Sequence, residues 1–481
     1  MDNLMDFHEG AGAMRGWKQV LLLLVVAAIA NVFTLLNPGF FSHDEWQRLD
    51  HIRLHGFADF VVQYGAVKAG PDFGFPVRPI GFLYQGVAAL FMQQQPFVAH
   101  LMDVVLHGLC VLALWWMLQQ SPLRGRHALV AALIFAVSPL AAFSTSWVGA
   151  SFDRLYVLFA LLAGAGMLRM VYGRVNWFNF ALLLTGCVGA TLSKETAVML
   201  PGALLLGLLA VRLTDPRGVK ISIAFGILIL ASMPVLAYLL VRLPALQASF
   251  GGNAGAYDPH EGSLDGNIYL YFAQPFLVKA VELVSAVFIP KWMWFCAAAL
   301  HAVMVLGLAV RRGFTTALLY LAGYFVFLLP VIPVSIVGAH YLYGSGIAFS
   351  IGMALLLPPP AFARLVLDKL ALVVFSVLLL IAMVHTFKIQ REMYVVGVCQ
   401  RVFLDGLDAE IAKAKKQGKN SVRIVPGPGA KGYVAVRSTF GRSPYQVEYG
   451  MPVVVDESGA VPATMDVLSL EMNAQCRVTR L

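Results

Sequence analysis

Apolar stretches of about twenty residues recur from Gln19 to Phe387, separated by short polar or basic connections. At 1.5 Å per residue, each is long enough to cross a hydrocarbon core about 30 Å thick. The pattern predicts membrane spans near 19–37, 100–119, 128–146, 154–172, 177–193, 196–213, 220–243, 292–310, 315–333, 345–360 and 369–387, about eleven in all. The run 268–290 is apolar enough for a twelfth, but it carries Lys279 and Glu282 and reads as an interfacial helix lying flat. The predicted fold is therefore mainly α, a polytopic helical bundle.

Two segments depart from this pattern. Residues 38–95 interleave charged and aromatic positions, which predicts short helices packed at the membrane surface. From Lys388 onward the pattern becomes that of a soluble domain, giving a division into a transmembrane part, 1–387, and a small α/β domain, 388–481. In the latter the sequence predicts a helix over 405–417 and strands over 421–425, 433–438 and 446–455, with a last one near Arg477. The Pro426-Gly427-Pro428-Gly429 stretch matches neither a P-loop nor a dinucleotide fingerprint and reads as a turn.

Composition agrees: 59% of the 481 residues are hydrophobic and 13% charged, which points to lipid as the solvent. The formal net charge of +9 is scattered among the apolar runs, which fits cytoplasmic loop placement and anionic lipid better than nucleic acid. Arg15 with Lys18, Arg124 with Arg126, Arg174, Arg217 with Lys220, Arg311 with Arg312, and Arg364 with Lys369 then mark the cytoplasmic side. This puts the N-terminus inside and the C-terminal domain outside, in the periplasm of a cell with an inner membrane. The first apolar run has no small-residue cleavage site after it and reads as a retained span. Cys110, Cys187 and Cys296 lie in apolar runs and read as small core residues, and no CxxC spacing points to zinc. Cys399 and Cys476 bracket the polar domain and are candidates for a disulfide in an oxidising compartment.

Candidate chemistry collects at the outer span ends. After the first span comes Ser42-His43-Asp44-Glu45-Trp46. Ser42 and Glu45 have capping-box spacing, while Asp44 and Glu45 form a carboxylate pair suited to a general base with a supporting neighbour. Arg78, between Pro76 and Pro79, sits in extended backbone, where its guanidinium can snorkel or bind a lipid phosphate through two parallel hydrogen bonds. His100, Asp103 and His107 share one helical face and are expected to line the interior as hydrogen-bonded polar residues. Asp153 and Arg154 follow Trp147, and Lys194 and Glu195 separate two apolar runs. Asp153 has a structural role available in pairing with Arg154 or Lys194, whereas Lys194 can also answer a phosphate leaving group. His340, Tyr341 and Tyr343 lie between the ninth and tenth spans, where tyrosine also serves as a belt residue.

Taken in order, these elements resemble the membrane-embedded glycosyltransferases of the C-type (GT-C) fold, above all the protein O-mannosyltransferases and the transmembrane, TPR-containing mannosyltransferases with their bacterial relatives. The resemblance covers roughly residues 19–360 and rests on Asp44-Glu45, Arg78-Pro79, the His100 to His107 segment, Trp147 with Asp153, Ser193-Lys194-Glu195 and Tyr341-Leu342-Tyr343. It departs where relatives often carry Arg, at His340 and at Ser151, and no TPR array follows. The resemblance implies an inverting transferase that takes a sugar from a polyprenyl-phosphate donor to a hydroxyl of a periplasmic protein or envelope glycan. Asp44 is then the base, Glu45 its partner, and Arg78, Lys194, Arg154 and His340 the phosphate contacts. His43, His100, Asp103, His107, Asp153, Glu195, Tyr341 and Tyr343 line the cavity. A divalent cation is compatible with this arrangement but not required by it. The rival readings are a polytopic transporter or lipid flippase, against which no internal repeat is found, and an O-antigen polymerase or ligase using a diphosphate carrier.

Overall fold

The computed structural model describes residues 6–39, 43–65, 78–92, 94–173, 175–214, 219–249, 264–278, 289–334, 338–357, 366–430, 450–456 and 467–481. The apolar runs form helices. In chain order these are α1 (Asp6–Ala30), α2 (Val32–Leu35), α3 (His43–His55), α4 (Phe57–Gly65), α5 (Pro79–Met92), α6 (Pro96–Gln119), α7 (Arg126–Ala136), α8 (Pro139–Ser146) and α9 (Ser151–Tyr172). They continue as α10 (Trp177–Thr191), α11 (Leu200–Thr214), α12 (Ile221–Ser249), α13 (Leu264–Ala273), α14 (Lys291–Arg312), α15 (Phe314–Phe325), α16 (Ser345–Leu356) and α17 (Val366–Lys416).

Each predicted span falls on one or more of these helices, but length and composition qualify only six of the described ones to cross a membrane alone. A seventh results if α7 and α8, bent by 47° at Ser138-Pro139, count as one span. The bend has a local cause: Ser138 caps α8 through its hydroxyl, and Pro139 occupies the first turn, where its missing N–H costs nothing. Gly125 and Gly313, at φ +76° and +92°, make the tight reversals before α7 and α15. α9 and α10 pack closely because a Cβ on Gly186 would lie 2.5 Å from the Ala163 nitrogen, and one on Gly166 2.7 Å from that of Leu183.

The expected short helices of the outer loop are present as α3, α4 and α5, which share a core of Trp46, Phe60, Phe82 and Phe152. Of the run 268–290, α13 and a 3-10 turn, Gln274–Phe276, are described; Lys279 and Glu282 lie outside the described residues. Cys110 and Cys187 are buried, as expected of small core residues, but Cys296 is exposed on α14.

The C-terminal region differs most from expectation. The last predicted span and the predicted helix over 405–417 are one continuous helix, the 51-residue α17, which runs on into the small domain. No Pro interrupts 388–404, and its one glycine, Gly397, sits within the helix, so the backbone can continue without a break. The domain's sheet contains β1 (Ser421–Pro426), β2 (Val453–Val455), β3 (Val467–Met472) and β4 (Val478–Arg480) in the order β2-β1-β3-β4. β1 runs parallel to β2 and β3, and β4 closes the edge antiparallel to β3. The pattern did not predict β3, although its burial alternates along all six residues; the predicted strand 433–438 lies outside the described residues. Cys399 on α17 and Cys476 before β4 form a disulfide. Their domain shares an apolar core with Phe143, Trp147 and Ala339, so it sits on the same end of the bundle as the candidate motifs.

Candidate functional site

The motif residues come together at that end of the bundle, carried by segments far apart in sequence. α3 packs Trp46, Leu49 and Ile52 inward and, in its first turn, buries Glu45 completely. The Glu45 carboxylate accepts a hydrogen bond of 2.9 Å from the Gly149 N–H, in the 3-10 turn that leads into α9. The side chains of His43 and Asp44 lie outside the described residues; their backbone forms the start of α3.

Three oppositely charged pairs follow. Arg78, just before α5, grips Glu195 with two hydrogen bonds, Nε donating to Oε2 at 2.6 Å and Nη2 to Oε1. Lys194 donates from Nζ to Asp153 Oδ1 at 2.5 Å. Arg154 donates to Asp103, which also accepts from the Tyr84 hydroxyl at 3.0 Å. These pairs differ in what can reach them. The Arg78 side chain is 17% exposed and Glu195 28%, Lys194 only 4%, and Arg154 and Asp103 not at all.

Rings tie the pairs into one site. The Arg78 guanidinium lies 4.8 Å from the centre of the Phe152 ring, and Lys194 Nζ 4.5 Å from that of Tyr341. His340 contacts Tyr341 on one side and Trp147 on the other. Burial, helped by the charges of Lys194 and Arg78, pushes the His340 imidazole well below its ordinary pKa, so the ring is neutral at pH 7. Burial also pulls Lys194 downward, while Asp153 and Glu195 oppose it. A neutral His340 can offer a hydrogen bond to a phosphate but not a positive charge.

The remaining predicted residues, His100, His107 and Tyr343, are buried. His100 donates from Nε2 to the Gly39 carbonyl at 2.7 Å. His107 Nδ1 lies 2.8 Å from the Tyr343 hydroxyl, so this tyrosine is a buried partner and not a belt residue at the lipid surface. As the shared helical face required, Asp103 and His107 are fully buried, with His100 beside them. Among the described residues, no three His, Cys, Asp or Glu side chains are grouped to hold a metal ion.

Sequence reasoning missed several members. Tyr84 holds Asp103, and Gln85 spans the turn before α9, donating to the Gly149 carbonyl at 2.7 Å and to Ser151 at 3.0 Å. Arg48 and Asp50 are buried charges on α3 that continue the acidic motif, and Arg48 lies 5.7 Å from the Phe152 ring centre. Little in the sequence set Arg48 and Asp50 apart, because most residues of α3 are polar or charged. Gly81 lets α5 approach this ring, since a Cβ there would lie 2.0 Å from a Phe152 ring atom.

No family model matches the sequence, and no curated protein matches it. Among solved structures, the chain aligns with ArnT from Cupriavidus metallidurans bound to undecaprenyl phosphate, at 16% identity and a TM-score of 0.47, over 95% of this chain and 93% of that one. The apo state of ArnT aligns at 15% identity and a TM-score of 0.47, over 92% and 86%. The arabinofuranosyltransferase AftD from Mycobacteria aligns at 16% identity and a TM-score of 0.42, over 92% of this chain but 33% of that one.

Proposed function

We propose that this chain is a membrane glycosyltransferase of the C-type fold that transfers a sugar from a polyprenyl-phosphate carrier to an acceptor hydroxyl. The observation that carries the reading is the convergence of six separated motifs on one end of an apolar bundle. Acidic Glu45, the Arg78–Glu195 pair, the Lys194–Asp153 pair and the Trp147–His340–Tyr341 rings adjoin one another there. A charged cluster at the end of lipid-facing helices suits a substrate with an apolar tail and a phosphate head. A transporter's charges would be expected along a path through the bundle.

In this reading Asp44 takes the acceptor hydroxyl proton as that oxygen attacks the anomeric carbon. The bond from that carbon to the phosphate oxygen breaks, and its electron pair leaves with the phosphate, giving inversion in one displacement. Arg78, the most accessible of the three paired cations, releases Glu195 to take the phosphate through its planar fork. Lys194 supports it, and His340 donates a neutral hydrogen bond. Arg154, wholly enclosed with Asp103, is left out of phosphate binding.

The disulfide supports one orientation of the site. Cys399 and Cys476 persist as a bridge in an oxidising compartment, and their domain shares its core with Trp147 and Ala339. This supports a site that faces the periplasm of an inner membrane. The test is transfer of a radiolabelled sugar from a polyprenyl-phosphate sugar to envelope extract by the purified protein. Asp44→Asn is expected to lose at least about 10² in rate. Full transfer by that variant removes Asp44 from the mechanism, and transfer only from diphosphate-linked donors favours the polymerase or ligase reading.

A further inference from the structure

A second polar site lies at the opposite ends of the same helices. Arg169 on α9 is sixteen positions from Asp153, and Gln120, just past α6, is seventeen from Asp103, which places them about 24–26 Å from the charged cluster at helical rise. There Gln120, Leu168, Arg169, Tyr172, Gly173, Asn176 and Asn179 surround an open hollow of about 340 Å³.

Arg169 is built into this hollow. Its Nε donates to Asn179 Oδ1 at 2.8 Å, and its guanidinium lies 5.9 Å from the Trp116 ring centre and 5.7 Å from that of Phe178. Asn179 is itself buried and held by Asn176, whose side chain caps the start of α10. Among the described residues Arg169 has no carboxylate partner, in contrast to Arg78, Lys194 and Arg154. The rim is apolar and outward-facing: Val175 is 58% exposed, Trp177 80% and Phe178 47%. A fixed guanidinium without a counter-ion, amide and phenol groups beside it, and aromatic residues at the edge match a phosphate that arrives with acyl chains attached.

We propose that this hollow binds the phosphate of an anionic phospholipid in the leaflet opposite the charged cluster. The guanidinium takes the phosphate oxygens through its free Nη groups, Gln120 and Tyr172 contact the polar headgroup, and Trp177 and Phe178 lie along the upper acyl chain. The site is separate from the donor site and does not depend on the transferase reading.

Native mass spectrometry of the purified, delipidated full chain tests it, with phosphatidylglycerol, phosphatidylcholine or inorganic phosphate added to the detergent. The expected result is one tightly retained phosphatidylglycerol, weaker phosphatidylcholine, and no retained inorganic phosphate. Arg169→Gln should weaken phosphatidylglycerol retention about tenfold or more, the loss of a charge-assisted contact. Arg169→Lys, which keeps the charge and loses the fork, should fall between them and serves if the glutamine variant does not fold. Arg124→Gln, in the basic connection before α7, should leave retention unchanged. Equal retention by wild type and Arg169→Gln, an equal loss from Arg124→Gln, or equal occupancy by inorganic phosphate would each overturn the proposal.

Discussion

Arg78 and Glu195, 117 positions apart, meet through two hydrogen bonds in the most accessible of the three charged pairs at the site. An arriving phosphate competes with Glu195 for the same planar fork. Arg78→Lys is therefore not conservative: it keeps the charge but loses the paired geometry. It should lower kcat/KM for the lipid donor about 10- to 100-fold, because charge-assisted hydrogen bonds contribute about 1.5–3 kcal/mol. Glu195→Gln should move donor KM downward by freeing the guanidinium. Steady-state kinetics with donor varied at saturating acceptor separates the two, and an unchanged donor KM in both variants would remove Arg78 from phosphate binding.

Arg154 and Asp103 form the contrasting case, because neither has any exposed surface. Removing one partner strands the other charge in an apolar interior, which costs about 3–5 kcal/mol. Asp103→Asn should therefore lower the thermal midpoint in detergent sharply. Replacing both residues with apolar ones, as in Asp103→Leu with Arg154→Met, should recover much of it. If the pair instead contacted substrate, the double variant would be stable and its donor KM greatly raised.

Gly397 of α17 lies against the segment that leads to the acidic motif. A Cβ there would lie 1.6 Å from Asn37 Oδ1, and that side chain in turn donates to the Met393 carbonyl and accepts from the Gly39 N–H. The Asn37 side chain can make room only by giving up these hydrogen bonds. Gly397→Ala should destabilise by about 1–3 kcal/mol, the usual range for overpacking. Adding Asn37→Ala should return part of the loss, measured by thermal unfolding of the single and double variants.

The Cys399–Cys476 bridge closes a loop of 77 positions between α17 and the strand at the sheet edge. In the chain-entropy account such a cross-link contributes about 4 kcal/mol by restricting the unfolded chain. Cys399→Ser should make the small domain susceptible to protease at concentrations that leave the wild type intact. Non-reducing alkylation of protein from intact cells should label neither cysteine. Full labelling of both without reductant would place the domain on the reducing side and reverse the orientation of the site.

Much of this arrangement was legible because lipid imposes a simple code. Long apolar runs must satisfy their backbone internally, so the helices fell where hydropathy placed them. Charged residues in such a setting are costly, which singled out Asp103, Asp153, Arg154 and Lys194 before any contact was known. The pairings themselves were not legible. Asp153 had both Arg154 and Lys194 within reach of sequence reasoning, and only the turn of α9 decides that Arg154 points to Asp103 on α6 while Asp153 meets Lys194. Tyr84 and Gln85 were missed because tyrosine and glutamine are ordinary at a membrane surface; their role depends on α5 folding back over α9 through Gly81. β3 was missed because its place depends on pairing with β1 at long range.

His340 gives a prediction in pH. In the unfolded chain its imidazole titrates near the ordinary value of about 6.5, while in the folded protein burial beside Lys194 and Arg78 holds it well below that. Between the two values the unfolded state binds the proton and the folded state does not. The contribution of this residue to stability is thus full above about pH 6.5 and declines as the pH falls toward the folded value, by at most about 1.4 kcal/mol per pH unit. His340→Gln removes the titration, so the wild-type minus variant difference in thermal midpoint should be constant from pH 7 to 8 and shrink between pH 6.5 and 5. A difference that instead grows on acidification would mean that the ring is protonated in the folded state, held by a carboxylate such as Asp153 or Glu195. The residue would then stand with the cations of the site, and the phosphate would meet a third positive charge.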